Sequence, residues 1–283
     1  MSVGAASEKL SDFYAQMTSL ERVFASLQRS GVDLEGLTAQ DLYQRDLDCQ
    51  NLGAFQLLEV IAEAVAERAA PGPDDHLLDV GCGMGGPGRY LADRFGCSLT
   101  GIDLLPLRIE TAEELTGRTG HAGRISYRVA DATDLPFGAG SFAQAWLLDV
   151  AIHVRDKASL FEEMARVLRP GGLLVMHDQP GPLPAAMRPL TRMVPYIAPT
   201  LPQLIRLVET ARFRVLDWQD TTQRIIDYFE QVQDRYGPLE PGPEEERRPW
   251  RRWLRLTTTA YLTTLRELGG RTGILLATRQ PTD

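Results

Sequence analysis

Residues 78–88 read Leu-Asp-Val-Gly-Cys-Gly-Met-Gly-Gly-Pro-Gly, and a second aspartate, Asp103, closes the run Leu-Thr-Gly-Ile-Asp downstream. His76-Leu-Leu-Asp-Val80 before the glycines is a short apolar run suited to a buried parallel strand. The glycines can take backbone angles closed to residues with a Cβ, so the chain turns there. Arg89 to Phe95 then opens a helix whose N-terminal amides face the turn, and a small polar group belongs at that point.

Two further acids extend the pattern. Ser98 to Asp103 reads as the next strand, which puts the Asp103 carboxylate at a strand end where it can accept both hydroxyls of a ribose. Ile125 to Ala132 reads as a third strand ending at Asp131, placed to accept from an adenine amino group. Asp79 sits just before the glycines, where a carboxylate would repel a pyrophosphate yet suits the ammonium end of an amino acid. A dinucleotide is therefore a poorer fit than a nucleoside joined to a zwitterion, the chemistry of S-adenosylmethionine.

These residues carry a resemblance. Asp79 to Ala92, Gly101-Ile-Asp103, Asp131-Ala-Thr-Asp-Leu-Pro-Phe137 with Ser141-Phe142, and Val167-Leu-Arg-Pro-Gly-Gly172 together resemble the class I S-adenosylmethionine-dependent methyltransferases. Within them the chain is most similar to the small-molecule branch that includes tocopherol, sterol, sarcosine and phosphoethanolamine enzymes, over roughly residues 45–220. The resemblance implies S-adenosylmethionine as cofactor and S-adenosylhomocysteine as product. It implies cofactor contacts from Asp79, Gly81, Gly83, Gly85, Asp103, Leu104, Asp131, Ala132 and Asp149.

The alternation of strand and helix signals predicts a Rossmann-like, doubly wound α/β sheet. Gln144–Leu148 is its fourth strand, Lys157–Leu168 a helix, Leu173–His177 the fifth strand, Leu201–Thr210 a helix and Phe213–Trp218 the sixth strand. Gly273–Thr278 resembles the antiparallel last strand of a seven-stranded family sheet. We expect one methyltransferase domain: a helical N-terminal lid over 1–70, a cofactor-binding core over 71–180, a proline-broken cap over 181–200, core again over 201–220, inserted cap helices over 221–269, and a final strand and tail over 270–283. In the family the N-terminal segment folds over the cofactor, and Asp41–Gly53 is the candidate lid here; an ordinary polar connector is the alternative.

Chemistry is expected where the fourth strand ends. Asp149 and His153 stand four residues apart, a spacing that recurs at this place in the resembling branch, although glutamate is commoner there. His153 suits a base or a substrate positioner because its unperturbed pKa lies near 6.5. Asp149 could fix its tautomer, and a histidine capping the next helix is the plain alternative. Tyr43, His177 and Asp178 are candidate substrate contacts, with Asp46 or Asp48 and the Arg188–Arg192 pair pulling toward an amine and a carboxylate respectively. His153, His177 and a carboxylate have the donor chemistry of a divalent-metal site, but none is assigned.

The net charge of −8 argues against a nucleic-acid partner, since phosphate binding needs a basic face. Cys49, Cys82 and Cys97 lack metal-ligand spacing and suit a reducing cytoplasm, and no signal peptide or membrane-spanning run is evident. The expected partner is a small-molecule methyl acceptor, with a homo-oligomer left open. A cyclase or lyase using the same cofactor on the same fold is the competing function.

Overall fold

The computed structural model describes residues 19–49, 53–181, 196–236 and 249–281, of which 235–236 and 249–254 in backbone only. Its sheet contains β1 (His76–Val80), β2 (Ser98–Asp103), β3 (Ile125–Val129), β4 (Phe142–Leu148), β5 (Leu168–Asp178), β6 (Phe213–Asp220) and β7 (Gly273–Arg279). The seven strands lie in the order β3-β2-β1-β4-β5-β7-β6. The first five are parallel, while β7 runs antiparallel between β5 and β6.

Alternation along each strand divides the core between two faces. On one, Leu77, Leu99, Trp146, Val175 and Leu276 pack against α3 (Ala54–Ala69), α4 (Gly86–Phe95), α8 (Thr222–Tyr236) and α9 (Pro249–Glu267). On the other, Leu78, Ile102, Ala145, Met176 and Leu275 meet α6 (Lys157–Val167) and α7 (Leu201–Thr210). A third cluster joins α1 (Leu20–Arg29) and α2 (Ala39–Tyr43) to Met84 of the glycine turn and Leu115 of α5 (Pro106–Arg118). Leu27 and Leu42 in it are wholly buried, so the N-terminal segment lies on the turn.

Several sequence expectations shift at their ends. The helix expected from Arg89 begins at Gly86, with Pro87 in its first turn, where a missing N–H costs nothing. The third strand, expected to end at Asp131, stops at Val129. The fifth begins at Leu168, so Arg-Pro-Gly-Gly lies inside it. Of the helical N-terminal lid expected over 1–70, residues 1–18 and 50–52 lie outside the described residues. Much of the proline-broken cap, Arg188 and Arg192 included, lies outside the described residues. Among the described residues no helix is long and apolar enough to cross a membrane.

Candidate functional site

The parallel strands deliver their C-terminal ends to one edge, where a doubly wound sheet binds ligands. β1 brings Asp79 there. Its side chain lies within the core at 2 % exposure, against Gly88 in the first turn of α4, and its Oδ2 has no hydrogen-bond partner. Burial pushes the Asp79 carboxyl up to about 7; the Asp103 charge adds to the rise and the Arg89 guanidinium opposes it. A buried carboxylate oxygen left unmatched is costly, and the unfilled demand is for a donor, best a cation.

Gly81 follows with φ 70°, and a Cβ there would lie 2.5 Å from Val150 Cγ2. Its lack of a side chain lets the loop after β1 close onto the loop after β4. Gly83 N–H donates to Asp103 Oδ2 at 3.1 Å, and Leu105 N–H donates to Asp103 Oδ1 at 3.0 Å. The half-buried Asp103 carboxylate is thereby aimed beside the turn. Gly85 is constrained from the opposite side, since a Cβ there would collide with the Tyr127 hydroxyl.

Leu104 is 40 % exposed at the mouth of this cleft. Ala130 N–H donates to the Asp103 carbonyl at 3.1 Å, keeping the segment after β3 alongside β2. Asp131 stands two residues beyond its strand, exposed, with Oδ1 accepting from Thr133 N and Oγ1 at 2.9 and 2.8 Å. That turn orients one oxygen, and Ala132 follows half-buried.

The end of β4 is more heavily braced. Asp149 has φ 59°, a left-handed conformation uncommon outside glycine although aspartate tolerates it better than most. The chain turns sharply there into a 3-10 turn, Ala151–His153, ending in the half-buried His153. Ile152 N–H donates to Asp178 Oδ2 at 3.1 Å, Lys157 Nζ donates to the Ala151 carbonyl at 2.6 Å and to that of Val154, and Ile197 N–H reaches the Ile152 carbonyl at 2.7 Å. Burial lowers the Lys157 pKa against the opposing pull of Asp178. It raises the Asp178 carboxyl to about 7, with Asp149 adding to the rise.

The residues expected to meet a substrate are placed as follows. His177 has no exposed surface: its Nδ1 lies 2.9 Å from Asp149 Oδ1, its Nε2 3.1 Å from Thr221 Oγ1, and Thr221 reaches Thr272 at 2.9 Å. With the carboxylate accepting, Nδ1 carries the proton and Nε2 accepts from Thr221. Both ring nitrogens are committed, so His177 supports Asp149 and offers no face to a substrate.

Asp178 is likewise buried, its oxygens taken by the amides of Ile152 and Gln179. Asp149 Oδ1 accepts from His177. The helix after His153 is capped by Asp156, which accepts from Ser159 N–H, so His153 is not its cap. Asp48, weighed as an amine contact, is buried against Arg89. Among the described residues no group of three or more His, Cys, Asp or Glu side chains is placed to hold a metal ion, so the two-histidine metal arrangement does not form there. Tyr43 is buried, stacked on Phe55 at 5.0 Å, with its hydroxyl unpartnered.

Residues 78–176 match the family model described as a methyltransferase domain. Over that stretch the chain is similar to methyltransferases. An O-methyltransferase of Penicillium expansum is 35 % identical over 169 residues, 58 % of this chain and 61 % of the relative. The chloroplastic tocopherol O-methyltransferase of Arabidopsis thaliana is 41 % identical over 100 residues, 35 % of this chain and 29 % of the relative. The chain thus spans less than two thirds of the length of these relatives. A putative sarcosine dimethylglycine methyltransferase from Galdieria sulphuraria superposes with a TM-score of 0.71 over 92 % of this chain and 98 % of that one, at 20 % identity, a likeness of fold.

Two participants escaped the sequence reading. Arg89 lies within the glycine motif but reads as an ordinary helical arginine, and Thr221 carries no motif at all.

Proposed function

We propose that this protein transfers the methyl group of S-adenosylmethionine to a small-molecule acceptor. The observation that carries the reading is the buried, unpartnered Asp79 Oδ2 under a glycine turn, one strand away from the aimed Asp103 carboxylate. The donor set fits the cofactor: Asp79 demands a cation, Asp103 presents oxygens to hydroxyls, and exposed Leu104 offers an apolar surface to a base. Asp79, Gly81, Gly83, Gly85, Asp103, Leu104, Asp131, Ala132 and Asp149 would hold it. When bound, it supplies an electrophilic methyl group on a sulfonium.

Methyl transfer is an in-line displacement, so the protein's task is alignment and exclusion of water. Asp149, fixed by His177, shapes the floor of the cleft, and the braced 3-10 turn presents His153 at its edge. His153 accepts the proton of an acceptor hydroxyl or amine as that atom attacks. The similarity to O-methyltransferases, one of them acting on tocopherol, supports an oxygen acceptor. The chemistry suits a reducing cytoplasm, in keeping with three buried, free cysteines.

The test is product analysis. Protein supplied with S-adenosylmethionine and a panel of phenols, carboxylic acids and amines should yield S-adenosylhomocysteine in step with a methylated product. An acceptor rearranged without any S-adenosylhomocysteine would instead establish a cyclase or lyase.

A further inference from the structure

The back of the glycine turn carries a polar group that neither the strand nor the cleft explains. Arg89, in α4, is wholly buried. Its Nη2 donates to the Met84 carbonyl at 2.8 Å and to Asp48 Oδ2 at 2.6 Å, while Nη1 donates to Thr116 Oγ1 at 2.8 Å. Thr116 in turn meets the Tyr127 hydroxyl at 2.8 Å. One guanidinium therefore ties four pieces together: the turn, the N-terminal segment, α5 and β3.

Fully buried ion pairs are an expensive way to hold a fold, because desolvation offsets much of the attraction. The cost is visible here, since Asp48 Oδ1 and Arg89 Nε remain buried without partners, and burial raises the Asp48 pKa against the Arg89 charge. Packing is arranged around the pair. Gly86 approaches the Asp48 backbone so closely that a Cβ would lie 2.7 Å from its carbonyl oxygen. On the same surface, Met84 joins Leu42 and Leu37 in the third apolar cluster. The Met84 carbonyl is thus gripped by Arg89 while its side chain is gripped by the N-terminal segment.

We propose that Arg89 and Asp48 form a positioning pair that sets the glycine turn for cofactor binding and couples it to docking of residues 39–49. Neither residue touches the ligand. Arg89 fixes the backbone at Met84, between Gly83, whose amide bonds Asp103, and Gly85; Asp48 fixes Arg89. Coupling of this kind is reciprocal: whatever loosens the N-terminal segment weakens cofactor binding, and bound cofactor protects the segment. The inference rests on the cofactor reading above.

The experiment uses the full chain as wild type, as the double variant Asp48→Leu with Arg89→Met, and as Arg89→Lys. The double variant replaces a buried ion pair by an apolar one of similar size, an exchange often neutral for stability. Arg89→Lys keeps the charge but lacks the fork that serves Asp48, Met84 and Thr116 together. S-adenosylhomocysteine affinity is measured by calorimetry, and amide exchange is followed in the ligand-free proteins at residues 82–86 and, as a control, at 174–176 of β5.

In the double variant the dissociation constant should rise between about tenfold and a hundredfold, the range of a lost charge-assisted hydrogen bond. Exchange at 82–86 should quicken while 174–176 stays as in wild type. Arg89→Lys should fall between the two in both measurements. A folded double variant that binds within about twofold of wild type, or that leaves exchange at 82–86 unchanged, overturns the proposal. If the double variant does not fold, wild-type affinity and exchange in Arg89→Lys overturn it equally. Failure of the wild type itself to bind S-adenosylhomocysteine would instead remove the cofactor reading, and the exchange result would still decide whether the Arg89–Asp48 pair holds the turn.

Discussion

Binding of S-adenosylhomocysteine should tighten as pH rises toward neutrality, with Asp79 setting the slope. In the ligand-free protein burial and the Asp103 charge hold the Asp79 carboxyl at about 7, against the pull of Arg89. An ammonium brought beside Oδ2 favours the ionised form, so the pKa in the complex lies lower and binding below 7 expels a proton. Affinity should therefore fall close to tenfold, about 1.4 kcal/mol, for each pH unit below 7 and level off above it. The sign for stability is opposite. A carboxyl raised from about 4 to about 7 by folding contributes stability that is complete below 4 and is lost as pH rises through 7, so the free protein loses Asp79's contribution over the range in which the complex gains. Calorimetry between about pH 6 and 7.5, in two buffers of different ionisation enthalpy, counts the expelled protons directly. Asp79→Asn should bind more weakly and with no slope over this range. A wild-type affinity that is flat with pH, or an asparagine variant that keeps the slope, would refute the assignment of Asp79 to the ammonium.

His153→Ala should lower turnover by about a hundredfold to ten-thousandfold while S-adenosylhomocysteine affinity stays near wild type, as single-turnover kinetics and calorimetry would read. Preserved turnover would mean that transfer is driven by proximity alone. Gly81→Ala places a methyl 2.5 Å from Val150 Cγ2 at a φ of 70°, which should cost on the order of 1–3 kcal/mol in urea unfolding and weaken cofactor binding; unaltered binding would show that the two loops can part. His177→Leu removes one partner each from Asp149 and Thr221 in a wholly buried setting, so unfolding free energy should drop by roughly 1–3 kcal/mol and turnover should fall with it, whereas a stable, fully active variant would show that Asp149 needs no brace from His177.

The sequence alone determined the parts whose signal is local. Five residues of apolar strand, a glycine-rich turn and a helix start are contiguous, so β1, the turn and α4 follow from spacing, and Asp79 and Asp103 fall at strand ends because strand periodicity and length put them there. Asp131 was legible as a residue but not in its setting, since where β3 stops depends on its pairing with β2 and on the Asx turn made with Thr133. Which side of the turn each glycine serves was decided only in three dimensions: Gly81 meets the loop after β4, whereas Gly85 and Gly86 make room for Tyr127, Arg89 and Asp48. The same holds for His177, an evident ligand by residue type that burial turns into a brace. Its partners lie 28 and 44 residues away, and Asp48 lies 41 residues from Arg89. No periodicity records such pairings. They arise because folding removes water from these polar groups, and each must then find its hydrogen bonds among whatever the sheet and its helices bring within reach.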